Sequence, residues 1–331
     1  MKTKMTMNTK KLTKTTINAS ASSLNKFSDC PRAYYYHYEQ GIRPVTDPWY
    51  FILGRVYGEC LDKLYQYIQK YHPRRDQLGI DRIISKGKKA ALQHLDASFD
   101  KMMSLPSRPK KDEFYREELY KLRAMIEGYV VNNKKFLYDI EVLAIEEELK
   151  FVFKEQYKII GYIDKRVRRI STNTMWLLDH KTPSIINENY IEMARQSIQF
   201  RLYVSAAKIK YPELQGLILD QTKKTKKKVK QKQTEDEYAK EIKDMYTKDS
   251  KQYLLDDLVF EDYERGDFIE SFHSRLVHLK SCKKSIKEGG FGGFYQRESA
   301  CNNYGRCVFH PVCWEGGLES NKNLYKIVKG D

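Results

Sequence analysis

Asp164, in Gly161-Tyr162-Ile163-Asp164-Lys165, and Asp179 with Lys181, in Trp176-Leu177-Leu178-Asp179-His180-Lys181-Thr182, are two acids and an amine within one short stretch of chain. Carboxylates hold a hard divalent cation, and a lysine beside them positions or activates a water. The chemistry implied is metal-assisted hydrolysis of a phosphodiester bond. Both segments are alternating and β-branched and predict strands, and Ser171-Thr172-Asn173 between them predicts the turn of a hairpin. Strand side chains alternate faces, so Asp179 and Lys181 emerge on one side of the sheet while Leu178 and His180 point to the other. Asp164 reaches the same place from the neighbouring strand.

The elements that must position these groups are legible around them. Residues 1–18 are polar and rich in Lys and Thr, which predicts a flexible basic arm. Ser20 to Ser23 offer helix caps before Leu24. Helices are expected from about Phe51 to Tyr71, through about Leu105, and from about Asp112 to Tyr138, making 50–140 a helical region. The sheet is expected from about 142 to 181, with a strand Ile145 to Phe153 carrying Glu148 and a further strand at Gly216 to Gln221, so that 142–220 is the catalytic sheet. Glu188 to Ile209 has helical periodicity between them. Thr222 to Gln233 is almost continuous Lys, Thr and Gln within a basic insert spanning 222–250; such a run suits a solvated loop or a nucleic-acid clamp. A helix from about Phe260 to Glu288 ends at Gly289-Gly290, followed by a Cys-rich tail over 295–316 and a terminal segment, 317–331. Helices before the sheet and a long helix after it predict an α/β fold, one domain over 19–316.

Composition sets the partner class. The 331 residues, 41% of them hydrophobic, suffice for a sizeable core, and the length excludes a peptide-like module. No run of about eighteen apolar residues occurs, and the first residues lack the apolar centre of a secretion signal, so a soluble intracellular protein without membrane contact is expected. The net charge of +16, from 60 basic and 44 acidic residues, points to a polyanion, because phosphate contacts dominate nucleic-acid affinity; a Lys-rich proteome or a solubility requirement is the other reading. Some of the 25 tyrosines could stack on unpaired bases, most being ordinary core and surface residues.

Three of the six cysteines follow a rule, Cys301-x5-Cys307-x5-Cys313. Spacing this short in a loop lets three thiolates converge on one centre, with Cys30 in Asp29-Cys30-Pro31-Arg32 the best fourth ligand. Zinc, with His310 available as a nitrogen ligand, and an iron-sulfur cluster fit the spacing equally, and uncommitted thiols are the remaining reading. Cys60 and Cys282 have no partners at ligand spacing and suit core thiols.

Taken in order, Ser20-Ala21-Ser22-Ser23-Leu24 running to Cys30-Pro31-Arg32-Ala33-Tyr34-Tyr35-Tyr36, Gly161-x-x-Asp164, Asp179-x-Lys181-Thr182, Gln199-x-x-x-Tyr203 and the Cys tail resemble the RecB-type branch of the PD-(D/E)XK nucleases, over residues 17–316. The nearest likeness is to phage-type and CRISPR-adaptation exonucleases with an iron-sulfur site. The resemblance implies a restriction-endonuclease-like core, a mixed sheet flanked by helices, with helical insertions. It implies Mg2+ or Mn2+ on Asp164, Asp179 and the His180 backbone carbonyl, with Lys181 beside the water and Gln199 and Tyr203 on one helix face looking toward them. It further implies a 4Fe-4S cluster on Cys30, Cys301, Cys307 and Cys313 that staples the two ends of the domain, zinc remaining the alternative.

The sequence departs from that pattern twice. The first cysteine interval in the tail is longer than usual. Where the family places a metal-binding His four residues after Gly54, this chain has Gly58. Glu59 is the nearest replacement ligand, although a one-residue step turns a side chain by about 100° around a helix. The expectation is a metal-dependent DNA exonuclease acting on single strands or duplex ends in recombination, repair or phage- and CRISPR-type processing, with recombination or replication proteins as partners. The alternative is a catalytically weakened nuclease fold kept as a nucleic-acid-binding or complex-forming subunit, and after it a zinc-stabilised interaction protein.

Overall fold

The computed structural model describes residues 17–45, 48–104, 110–287, 293–302 and 305–328. Of the expected basic arm only Ile17 and Asn18 fall among them, and they begin a strand. The expected helix end at Gly289-Gly290 and the last residues of the terminal segment lie outside them.

The chain opens with strand β1 (Ile17–Ala19) and helix α1 (Ala21–Asp29), whose start is fixed by a capping box in which Ser20 and Ser23 exchange hydrogen bonds. A short strand β2 (Ile42–Pro44) precedes three long helices, α2 (Trp49–Tyr71), α3 (Ile80–Met103) and α4 (Asp112–Asn132). Leu53, Val56, Tyr57, Cys60, Leu61, Leu64 and Ile68 give α2 an apolar stripe that packs on α3 and α4. The sheet follows as β3 (Ile140–Phe153), β4 (Tyr157–Arg169) and β5 (Thr174–Lys181). Helices α5 (Glu188–Gln196) and α6 (Ile198–Lys210) carry the chain across to β6 (Leu214–Thr222), which lies parallel to β5. The chain ends with α7 (Glu235–Lys248), the antiparallel strand β7 (Tyr253–Val259), α8 (Asp262–Lys287) and a tail whose strand β8 (Tyr325–Ile327) pairs with β2. The result is a mixed central sheet flanked by helices, as expected from the sequence. One face packs on α1, α6 and α8 through residues such as Leu177 and Leu219; the other packs on α2, α3, α4 and α7 through Leu178 and Ile218.

Three elements differ from the sequence expectation. The helix read over 188–209 is two helices, because Ser197 is extended and its hydroxyl accepts the Gln199 N–H at 3.2 Å, starting a new helix. Within the basic insert, α7 starts at a Thr234–Glu237 capping box and buries Tyr238, Ile242 and Tyr246 at four-residue steps; its polar composition masked that narrow stripe. Strand β7 went unread because its pair Asp256-Asp257 interrupts the apolar pattern at the sheet edge.

The long β3–β4 hairpin serves both cores. Leu149, Phe151 and Ile163 pack on the α6 side, whereas Ile140, Val142 and Val167 pack on the α4 side. The change falls at Glu146, which sits at φ +52° and by register faces Asp164 across the ladder. Beyond it Lys165 is fully buried, its Nζ 2.7 Å from Asp62 Oδ1 of α2 and 4.9 Å from the centre of the Tyr65 ring. A buried cation left without its partner is costly, so Asp62→Ala should lower stability by about 3 kcal/mol or more, while Asp62→Asn with Lys165→Met should recover much of the loss. Chemical denaturation of the three proteins checks this; equal stability of Asp62→Ala and wild type would refute the pairing.

Candidate active site

Strands β1 and β5 both pair with the edge of β4 that β3 leaves free: β1 over Tyr157–Ile159 and β5 over Lys165–Arg169. Between them β4 has no strand partner on that edge among the described residues. Asp164 sits at the end of this opening. The β4–β5 ladder stops at Lys165 and Leu178, and two residues further along β5 the His180 N–H donates to Asp164 Oδ2 at 3.1 Å. Extending the register sets Asp164 opposite Asp179, so the two acids meet where the strands part.

Asp179 is 2% exposed. Its Oδ2 faces Lys181 Nζ in a close ion pair and accepts no well-directed hydrogen bond, and Gln199 Nε2 approaches Oδ1 at 3.5 Å, the outer limit of such a contact. Burial holds the Asp179 carboxyl well above the usual range, to about 7; Lys181 pulls it down and the neighbouring Asp164 pushes it further up. Lys181 is raised: burial opposes its charge, but Asp179 and Asp164 outweigh that. Its side chain remains one-third exposed and so open to a ligand.

Gln199 and Tyr203 come from one face of α6. Tyr203 packs against Gly161, where a Cβ would stand 2.6 Å from its ring, and its hydroxyl takes the Tyr162 N–H. Gly161 is thus the residue that lets α6 approach the open edge. His180 points through the sheet, with Nδ1 2.7 Å from Asp220 Oδ2 of β6; Asp220 also accepts from Tyr129 of α4, which exchanges a 2.7 Å hydrogen bond with Tyr65 of α2. This polar chain beneath β5 is not legible in the sequence, nor are the positions of Glu146, Asp62 and Lys165. Their only signal was charge at strand or helix positions due to be buried. Glu59 does not join the group: it faces away, 3.3 Å from His94 of α3 and 4.0 Å from Arg55. Glu148 is exposed and meets Tyr162 on the hairpin.

In front of Lys181 opens a cleft of about 350 Å3, walled by Gly54 and Gly58 of α2 and by His180, Thr182 and Tyr190. A Cβ on Gly58 would touch nothing within 4 Å.

A sequence model of the PD-(D/E)XK nuclease superfamily matches residues 18–314. The chain belongs to that superfamily. No curated protein matches it.

Nucleases of this superfamily generally use divalent metals such as Mg2+ or Mn2+. Among the described residues no three His, Cys, Asp or Glu side chains are drawn together tightly enough to hold an ion as they stand. The donor set nevertheless fits a cation: among the described residues Asp179 Oδ2 accepts no hydrogen bond, and two carboxyl groups face each other with Lys181 and Lys165 near Asp179. At the other end of the domain, Cys30, Cys301, Cys307 and Cys313 line one small cavity of about 20 Å3 together with His310. All four are half-buried, and the Cys307 thiol is raised by burial and by Cys30 and Cys301 beside it. Four sulfurs suit a soft metal centre. Cys60 and Cys282 are buried thiols, Cys60 pushed up to about 12 by burial.

A carboxyl raised from its unfolded value to about 7 favours the fold while protonated, so that stability is lost as pH rises from about 4 through 7. A cation held by Asp179 would have to displace the same proton. Apparent Mn2+ affinity should therefore climb by up to about tenfold per unit as pH rises toward 7 and then level off, measured by calorimetry between pH 5.5 and 8.5. Affinity independent of pH would show that Asp179 is not a ligand.

Proposed function

We propose that this nuclease is a Mg2+- or Mn2+-dependent deoxyribonuclease that removes nucleotides from DNA ends, an exonuclease of the RecB type. The reading rests chiefly on one observation: two carboxylates, one buried, meet beside a lysine at an open strand edge. Asp164, Asp179 and the His180 carbonyl would hold the cation, which when bound supplies Lewis-acid stabilisation of charge on the phosphate. Lys181 Nζ, leaning on Asp179, holds the attacking water and steadies charge on the phosphoryl oxygens. Gln199 restrains Asp179, and Tyr203 fixes the distance of α6 from the open edge. The four cysteines would hold a 4Fe-4S cluster, or a zinc ion, as a staple between the segment after α1 and the tail. That role agrees with Arg32 donating to the Phe294 carbonyl at 2.7 Å and with the small core of Ile42, Phe309, Val312 and Tyr325.

A second reading, a weakened fold retained for binding, is favoured by the bare wall at Gly58, where a Cβ would meet nothing within 4 Å among the described residues. If that gap is what limits turnover, Gly58→His should raise Mn2+-dependent cutting, since the new ring meets no obstacle at its Cβ.

Cleavage of an end-labelled oligonucleotide with Mn2+ and with EDTA tests the first reading. Asp179→Asn and Lys181→Ala should each lose about a hundredfold or more in rate with circular dichroism unchanged, since each removes a group acting on the transition state. Wild-type-level cutting by either would sink the assignment. Purified without oxygen, the protein should carry about four irons per chain, and Cys307→Ser should lose them and melt lower. About one zinc in their place would favour the tetrahedral alternative.

A further inference from the structure

The entrance of the cleft carries two large aromatic side chains that the fold does not bury. Tyr50 is 56% and Phe51 62% exposed, in the first turn of α2, with ring centres 4.4 Å apart. Singly scattered exposed apolar residues are ordinary, whereas apolar surface gathered at a cleft is where ligands and partners dock. Both line the same cavity as His180 and Lys181.

Along α2 from those rings come Gly54 and Gly58, one and two turns on. Glycine within a helix is unfavourable by roughly 0.5–1 kcal/mol relative to alanine, and here two of them leave the wall flat. A Cβ on Gly54 would stand 3.5 Å from Thr182 Oγ1. Across the gap stands Tyr190, whose hydroxyl is raised by burial and feels both Lys181 and Asp179. Arg55, Lys181 and Lys224 supply positive charge, and no acidic residue lines the cavity. A flat slot with aromatic rings at its mouth, cations on its walls and, at its inner end, Lys181 in contact with Asp179 suits one strand of nucleic acid, the rings taking base faces and the cations phosphates.

Building on the nuclease reading, we propose that Tyr50 and Phe51 form a stacking platform that seats an unpaired base of single-stranded DNA and feeds that strand to Asp164 and Asp179. A paired base has its faces covered by its neighbours, so only an unpaired one offers a free face to these rings. The volume of about 350 Å3 lies at the lower end of pockets that enclose small ligands, of nucleotide scale rather than duplex scale.

The test measures binding with Ca2+ in place of Mg2+, so that binding is read apart from cleavage. Single-stranded oligonucleotides carrying 2-aminopurine should be quenched on binding wild-type protein. Tyr50→Ala with Phe51→Ala should abolish the quenching and weaken single-strand binding by about tenfold or more, while blunt duplex binding changes by less than about twofold. Tyr50→Phe with Phe51→Tyr should restore both signals. The rings are exposed, so the melting temperature of the double variant should match the wild type. Unchanged single-strand affinity, or equal losses for single strand and duplex, would overturn the platform. Quenching by a wild type that cuts no DNA under any divalent metal would sink the nuclease reading and leave the platform standing.

Discussion

Negative charge gathered at one break in a β-sheet is the constraint around which the molecule is arranged. Asp164 and Asp179 face each other where β4 and β5 part, and Asp179 is buried. Two carboxylates so placed repel and are poorly solvated, so the fold needs compensating positive charge. Lys181 provides it from the cleft side and Lys165 from beneath; both lower the Asp179 carboxyl against burial. Lys165 is itself buried and requires Asp62. The remaining deficit is what a divalent cation would fill.

The surrounding elements keep that break open yet supported. Strand β1 and strand β5 share one edge of β4 without meeting, which spares Asp164 from being covered by a neighbouring strand. Helix α6 closes one side, drawn in by the contact of Tyr203 with Gly161. Helix α2 closes the other, and its two glycines leave a stretch of the cleft wall without side chains between Tyr50 and Phe51 at one end and Lys181 at the other. Beneath β5, the chain from His180 through Asp220 and Tyr129 to Tyr65 ties that strand to β6, α4 and α2. A displacement of any of these would move the Asp179 backbone.

What was legible in the sequence was local. Alternation placed Asp179 and Lys181 on one face, the turn at Ser171-Thr172-Asn173 placed Asp164 beside them, and four-residue spacing put Gln199 and Tyr203 on one side of a helix. The Cys301, Cys307 and Cys313 spacing, with Cys30, foretold the residues that share one cavity. Illegible were the contacts set by tertiary packing. Lys165 reads as a charge in the buried phase of its strand with no local partner until Asp62 is seen above it. Glu146 reads as one acid in an alternating strand until the register sets it opposite Asp164. Glu59 read as a ligand because it follows Gly58, yet the helix turns it to His94. Strand β7 and helix α7 were hidden by their charged residues, since an edge strand and a surface helix bury only a narrow stripe.

The central claim is that the facing pair Asp164 and Asp179 is a cation site. Crystals grown with Mn2+ and measured for anomalous scattering test it most directly. The account predicts a peak between the two carboxylates, at about 2.0–2.6 Å from an oxygen of each and in reach of the His180 carbonyl, displacing Lys181 Nζ from its contact with Asp179. Manganese bound elsewhere, or Asp179 still paired only with Lys181 at saturating Mn2+, would contradict it.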